Sequence, residues 1–279
     1  MAGTLYIVST PIGNLNDLTP RAAATFGAVD FVAAEDTRVT LRLLNHLGLK
    51  KPLVSYYEHN QKEKGSYILE RIQAGESCAL CSDAGMPAIS DPGEGIVRDA
   101  LEQGIQVVPI PAASACVTAL AVSGQDTSRF VFEGFLPVAA KQRKERLEDL
   151  QHEQRTMIFY EAPHKLKATL QAMEQAFGAD RSITLARELT KLHEEIQKTT
   201  LGQALAYYQQ NTPRGEYVLV VAGGTAEPQQ QEQPTLEQAA QAARLLMEQG
   251  LSPTAAAKQA AHGTPFSKSQ VYRLLIEEE

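Results

Sequence analysis

Five short apolar runs, each followed by a segment of helical spacing, fill the first 124 residues and dictate what this part of the chain can build. The runs are residues 5–9, 31–34, 53–57, 77–81 and 106–110. Thr19-Pro20 offers an N-cap followed by proline at the first helical position, and that helix stops near Gly27. Segments 37–47, 66–74 and 94–103 have the same helical character and close at Gly48, Gly75 and Gly104. A fifth helix, 114–122, follows the last run. Strands alternating with helices predict a largely parallel sheet covered on both faces.

The pattern restarts near residues 124–129. Strands are expected at 130–134, 156–160, 182–187 and 217–222, with helices at 141–153, 163–177 and 202–210. The stretch 193–199 reads as one more strand, of ambiguous period. Residues 225–234 are polar, bounded by proline and aperiodic, as a linker is. Three short helices follow, at 235–249, 253–261 and 267–277, the last two spaced like a helix-turn-helix. The expected organisation is an α/β domain over 1–124, a second over 125–224, a linker over 225–234 and a small helical domain over 235–279.

Composition narrows the function. No apolar run approaches the ~20 residues of a membrane span, and the first residues enter a strand pattern without a basic leader. Both point to a cytoplasmic protein. The three cysteines do not make a disulfide framework. Cys78-Ala-Leu-Cys81 sits inside an apolar strand with no second pair, so it reads as strand rather than metal site. A net charge of −7 argues against a protein that coats nucleic acid non-specifically. One local basic run, Lys141-Gln-Arg143-Lys144-Glu-Arg146, fits either a solvated helix face or an RNA contact.

In open α/β sheets ligands bind beyond the carboxyl ends of strands, so the segments after each run carry the chemistry. Ser9-Thr10-Pro11-Ile12-Gly13-Asn14-Leu15 follows the first; it has one glycine and no dinucleotide or P-loop pattern. After residue 81 comes Ser82-Asp83-Ala84-Gly85-Met86-Pro87-Ala88-Ile89-Ser90-Asp91-Pro92-Gly93. Two Ser-Asp-x-Gly units and two prolines make a loop longer than the 2–6 residues such a connection needs. It fits a ligand loop better than a pair of Asx-turns. Ser114 and Ala115 open a helix rich in small residues; Ser114 is an N-cap or a ligand contact. Polar clusters follow four further strands: Glu35-Asp36-Thr37-Arg38, Glu58-His59-Asn60, Tyr160-Glu161-Ala162-Pro163-His164-Lys165 and Arg187-Glu188-Leu189-Thr190-Lys191. His59 and His164 lack the i, i+4 partner of a zinc helix, so no metal is expected.

Five of these segments, after the strands at 5–8, 31–34, 77–81, 156–159 and 182–186, are similar to the signature segments of the tetrapyrrole-methylase (class III) family, in its branch of small-subunit ribosomal RNA methyltransferases. The resemblance runs in order over about residues 3–224, and the last 45 residues resemble that branch's C-terminal helical domain. Two positions depart from the family pattern: Ser9 stands where proline is usual, and Ala112-Ala113 where Gly-Pro is usual. The resemblance implies two α/β domains with a cofactor cleft between them. It implies S-adenosyl-L-methionine as cofactor, held by Ile12, Asp83, Gly85, Met86, Ser114, Ala115 and Tyr160. It implies 2′-O-methylation of a cytidine in the decoding centre of 16S rRNA, on the small ribosomal subunit, by a homodimer.

A ribose hydroxyl is a weak nucleophile at neutral pH, so a base or a nearby cation should help. Asp36, His59 and Glu161 are candidate bases, and Arg38, Arg187 and Lys191 are candidates for holding phosphate or stabilising an alkoxide. Two other readings stay open: a methylase of a small tetrapyrrole-like molecule, and a non-catalytic RNA-binding protein of ribosome assembly.

Overall fold

The computed structural model describes residues 2–224 and 235–276. Residues up to Gly224 form one compact unit and those from Thr225 a second. The expected linker lies outside the described residues, as does Glu277 at the expected end of the last helix.

The first sheet comprises β1 (Thr4–Val8), β2 (Phe31–Ala34), β3 (Leu53–Ser55), β4 (Cys78–Cys81) and β5 (Gln106–Ile110), in the order β3-β2-β4-β1-β5. Every pairing is parallel. The helices α1 (Pro20–Ala28), α2 (Thr37–His46), α3 (Gln61–Gln73) and α4 (Glu94–Glu102) connect them. Alternate strand residues feed two cores. Leu5, Phe31 and Leu80 join Ile68 and Ile96 on one face; Val8, Val32 and Cys81 join Phe26 and Leu44 on the other. Each such fully buried side chain contributes about 1.5–3 kcal/mol relative to exposure. Thr19 caps α1 as its sequence predicts, accepting the Ala22 N–H at 3.1 Å. β3 is shorter than expected because Asn60 takes both the Tyr57 N–H and the Ser55 carbonyl, which ends the ladder. The Cys78 and Cys81 side chains are core. Burial drives Cys81 up to about 12, so it stays a thiol.

The second sheet comprises β6 (Phe130–Phe135), β7 (Thr156–Glu161), β8 (Ser182–Arg187), β9 (Glu195–Thr200) and β10 (Tyr217–Val221), in the order β6-β7-β10-β8-β9. β6 and β7 are parallel; the other pairings are antiparallel. The ambiguous stretch is thus β9, an antiparallel edge strand whose half-exposed residues blur the period. Helices α6 (Ala140–Asp149), α7 (Leu166–Phe177) and α8 (Leu201–Gln210) cover one face, over Phe159, Leu185 and Leu219. The other face receives α5 (Ala115–Val122). Its Cys116, Ala119 and Leu120 pack on Ile158, Ala186 and Val218. The small residues of α5 let it lie close to that sheet, and this seats the carboxyl ends of β1, β4 and β5 against the second sheet.

The second unit holds α9 (Leu236–Glu248), α10 (Pro253–Ala261) and α11 (Lys268–Ile276). Thr235 and Gln238 form a capping box at α9, and Ser252 caps α10 ahead of Pro253. Ala239, Ala243, Ala256 and Val271 make its core. Among the described residues no helix is long and apolar enough to cross a membrane.

Candidate active site

The loops after β1 and β4 are joined by reciprocal backbone hydrogen bonds, Thr10 N–H to Gly85 at 2.9 Å and Gly85 N–H to Thr10 at 3.1 Å. Gly85 makes this approach at φ +81°, a conformation that disfavours any side chain. Beyond the bridge lies a cleft of about 300 Å³. Ile12, Gly85, Met86, Ser114 and Ala115 line it from the first sheet; Tyr160, Glu161 and Lys191 line it from the second. Most of the residues singled out from sequence therefore meet in one place.

Tyr160 joins the two halves. Its hydroxyl accepts the Cys116 N–H at 3.1 Å, an unpaired amide of the first turn of α5. Phe132 and Phe135 stand edge-on to its ring, and burial raises its hydroxyl to about 12, so it remains protonated. Ser114 makes no capping bond with its side chain, contrary to the simple N-cap reading, and instead borders the cleft. The two positions that depart from the expected pattern, Ser9 and Ala112-Ala113, meet in the structure. Ser9, fully buried, donates its hydroxyl to the Ala113 carbonyl at 2.9 Å. That bond ties the end of β1 to the loop before α5, and neither Ala112 nor Ala113 has a positive φ.

Lys191 is held from three sides. Its Nζ donates to Glu188 at 2.8 Å and to Glu216 at 2.9 Å. A Cβ at Gly13 would stand 2.5 Å from Lys191 Cγ, so the missing side chain there lets the lysine stem cross the β1–α1 loop. Burial works against its charge, but the hydrogen bonds to Glu188 and Glu216 outweigh it and hold the ammonium above its ordinary range. Glu188 and Thr190 sit at φ +50° and +66°, left-handed conformations costly for such residues. The strained pair flanks Leu189, which also lines the cleft.

The remaining candidates are placed differently. Asp83 lines an adjoining cavity of about 210 Å³ with Thr10, Gly13 and Arg42, and its carboxylate accepts the Asp36 N–H at 3.1 Å. Asp36 caps α2 and pairs with Arg38 at 2.6 Å. Hydrogen bonds from Arg38 hold its carboxyl down at about 2. A carboxylate so spent is a poor proton acceptor. Arg38 itself projects into solvent. Both Glu161 oxygens are engaged, by the Ala162 N–H and the Thr169 hydroxyl. His59 is exposed beside Tyr57 and borders neither cavity.

A titration follows from Asp36. Its folded pKa lies below the ordinary 3.8, so its contribution to stability is present above about pH 4 and is lost as pH falls toward about 2. Asp36→Asn should remove that component from an acid-unfolding curve. It should leave the pH profile of the enzyme's rate near neutrality unchanged. A lost alkaline plateau in the Asp36→Asn protein would return Asp36 to the list of bases.

Glu216 belongs to no segment singled out from sequence, whereas Asp91 and Glu188 lie in singled-out segments without being named as site residues. Asp91 lines the cleft, its carboxyl raised by burial; it was visible as the second Ser-Asp-x-Gly unit. Glu216 comes from the start of β10, antiparallel and therefore outside a search of carboxyl strand ends. The basic run on α6 is largely neutralised: Arg146 pairs with Glu133 at 2.7 Å, and Lys141 and Lys144 pair with Glu145 and Glu148 one turn on. This favours the solvated-face reading.

A family model described as Tetrapyrrole (Corrin/Porphyrin) Methylases matches residues 4–205. The chain is 47% identical over 277 residues to Ribosomal RNA small subunit methyltransferase I of Synechocystis, spanning 99% of both chains. It is 44% identical over 272 residues to the Bacillus subtilis protein of the same name, covering 97% of this chain and 93% of that one. Among solved structures, the cobalt precorrin-4 methyltransferase CbiF superposes with TM-score 0.59 at 17% identity, covering 78% of this chain and 94% of that chain. Diphthine synthase superposes with TM-score 0.60 at 13% identity, covering 79% and 90%. These structures share the fold; the relatives share the sequence over its full length. The chain belongs to the tetrapyrrole (corrin/porphyrin) methylase family, together with the Ribosomal RNA small subunit methyltransferase I proteins.

Proposed function

We propose that this chain methylates the ribose 2′-oxygen of a cytidine in 16S ribosomal RNA, with S-adenosyl-L-methionine as donor, on the small ribosomal subunit, as a cytoplasmic homodimer. The observation that carries the reading is the cleft that gathers residues of both sheets, in a chain that matches its ribosomal RNA-modifying relatives from end to end.

The cleft suits the donor. Its volume lies at the lower end of small-molecule sites. Ala115, Ala186, Leu189 and Val218 give it an apolar wall for a purine and thioether carbons. The close backbone approach at Gly85 leaves room beside Ile12, and the Asp91 carboxylate faces a cationic ligand. Ile12, Gly85, Met86, Ser114, Ala115 and Tyr160 would hold it, with Asp83 behind the Thr10–Gly85 bridge. When bound, the donor supplies a sulfonium methyl, which passes to the ribose oxygen as the sulfur becomes a neutral thioether and the hydroxyl proton leaves to water.

The protein aligns the partners and shapes the field. Alignment alone removes much of the barrier of an in-line displacement. Asp36 and Glu161 are committed to other bonds, so a protonated Lys191 is the group poised to act: its Nζ donates to the acceptor oxygen and stabilises the negative charge that develops there. The engaged carboxylates of Glu188 and Glu216 keep that ammonium in the cleft.

The reading is tested by mapping ribose methylation in 16S rRNA from a strain lacking this gene. One 2′-O-methylcytidine should disappear and return with the gene; an unchanged map would refute the assignment. The helices from Thr235 are proposed to dock the ribosomal particle, and the division into domains at residues 124 and 224 is proposed with them. Deleting residues 230–279 should leave S-adenosylmethionine affinity intact by calorimetry and weaken sedimentation with small subunits. Loss of cofactor affinity in a folded truncation would place the tail in the catalytic core.

A further inference from the structure

A second cleft, of about 300 Å³, opens on the α8 face of the second sheet. It lies at the carboxyl end of β8 and the start of β10. Tyr217 borders both this cleft and the cofactor cleft, so the two are neighbours across one strand. The reaction proposed above uses none of its other residues.

Its lining is chemically selective. Arg187 pairs with Glu195 at 2.8 Å through one terminal nitrogen, and its buried Nε has no hydrogen-bond partner. Buried donors are almost always satisfied, so a guanidinium left in this state calls for an explanation. Arg214 lines the same cleft, is exposed, and forms no ion pair among the described residues. Three tyrosines line the same cleft. Tyr207 is 48% exposed and stands edge-on to Tyr208, with ring centroids 5.0 Å apart; Tyr208 is edge-on to Tyr217. That stack fixes the Tyr207 ring while leaving it accessible. The Tyr217 hydroxyl accepts the Arg214 N–H at 3.3 Å, which ties the arginine loop to the same aromatic group.

We propose that this cleft binds a nucleotide of the RNA strand flanking the methylated one. The inference rests on the ribosomal RNA reading above. Arg187 and Arg214 offer two guanidinium groups to a phosphodiester. Tyr207 offers a fixed aromatic surface to the base, a contact that accepts any base. Glu195, already orienting Arg187, is an acceptor for a ribose hydroxyl, the group that separates RNA from DNA. A simple anion would use the cations and leave the aromatic wall and most of the volume idle. Adjacency through Tyr217 supplies the register: with the target ribose in the cofactor cleft, the next nucleotide along the strand reaches this one. Two contacts outside the catalytic cleft also answer the electrostatic difficulty of an acidic protein on RNA, because attraction is concentrated where the strand must lie.

The experiment compares the full-length wild type with Arg214→Ala, Tyr207→Ala and Tyr207→Phe, using small ribosomal subunits lacking the modification as substrate. The expected result is a KM for subunits raised about 10-fold by Arg214→Ala, with the salt dependence of log KM shallower by about one. Tyr207→Ala should raise KM roughly 5- to 100-fold with no change of salt slope, and Tyr207→Phe should restore it, since the ring and not the hydroxyl makes the stack. S-adenosylmethionine affinity, measured by calorimetry, should be the same in all four proteins and shows that each is folded. Unaltered KM and salt slope in Arg214→Ala and Tyr207→Ala, in a wild type that methylates the subunit, would overturn this site alone. A wild type that transfers no methyl to ribosomal RNA would overturn the reading beneath it and the site together.

Discussion

Lys191→Ala should lower kcat for methyl transfer by roughly 10²-fold, with S-adenosylmethionine affinity nearly unchanged. Removing one preorganised donor from a developing oxyanion typically costs this much, and the Lys191 ammonium is the cation that the cleft holds ready. Glu188 and Glu216 fix it at 2.8 and 2.9 Å, and Gly13 leaves the space its stem crosses. Because its pKa is raised, the ammonium survives across neutral and mildly alkaline pH. The wild-type rate should therefore rise or level off with pH, without an alkaline decline below the ordinary lysine pKa of about 10.4. Glu188→Gln should lose part of the same factor, since one of two carboxylates remains. Single-turnover rates at saturating cofactor separate the chemical step from binding. An unchanged single-turnover rate in Lys191→Ala would remove this residue from the chemistry.

Gly85→Ala should have the largest effect on cofactor binding, weakening it about 10- to 100-fold. The new Cβ would sit 3.3 Å from Ile12 Cγ2, inside the wall of the cleft, on a backbone at φ +81°. A left-handed alanine costs about 1–2 kcal/mol before any contact is considered, and here relief of that strain would pull on the bridge to Thr10. Gly48→Ala separates the two causes. Gly48 has φ +68° but nothing within 4 Å of a Cβ, so its substitution should lower Tm with no effect on the cofactor. Calorimetric titration of both variants is the check; equal cofactor affinities in the two would mean that Gly85 matters only for the backbone.

The first sheet was legible because a parallel sheet writes itself simply: apolar runs buried on both faces, glycine just past α2, α3 and α4, ligand loops at carboxyl ends. That logic singled out the loops after β1, β4 and β5, and the family resemblance named Ile12, Gly85, Met86, Ser114 and Ala115 within them. The second sheet hides more. Its antiparallel strands reverse the chain, so Glu216 enters the cleft from the start of β10, and no rule about carboxyl ends finds it. Polar clusters after strands were equally ambiguous on paper. Asp36 and Arg38 spend their charges on a helix cap and on each other, and the α6 cations on their own acidic neighbours. Only the fold separates these from Lys191, whose two acidic partners lie 3 and 25 residues away. The Ser9 hydrogen bond to Ala113 spans 104 residues. It joins two segments that look unrelated in sequence.

The central claim is that this cleft delivers a methyl group to a ribose of small-subunit RNA. Purified full-length protein, S-adenosylmethionine tritiated in its methyl group and small subunits from a strain lacking the gene test it directly, with the recovered 16S rRNA digested to nucleosides and separated. The account predicts label in a single species, 2′-O-methylcytidine, and its loss in Lys191→Ala protein that still binds the cofactor. Label on a base, or none in RNA under conditions where the cofactor is bound, would contradict it.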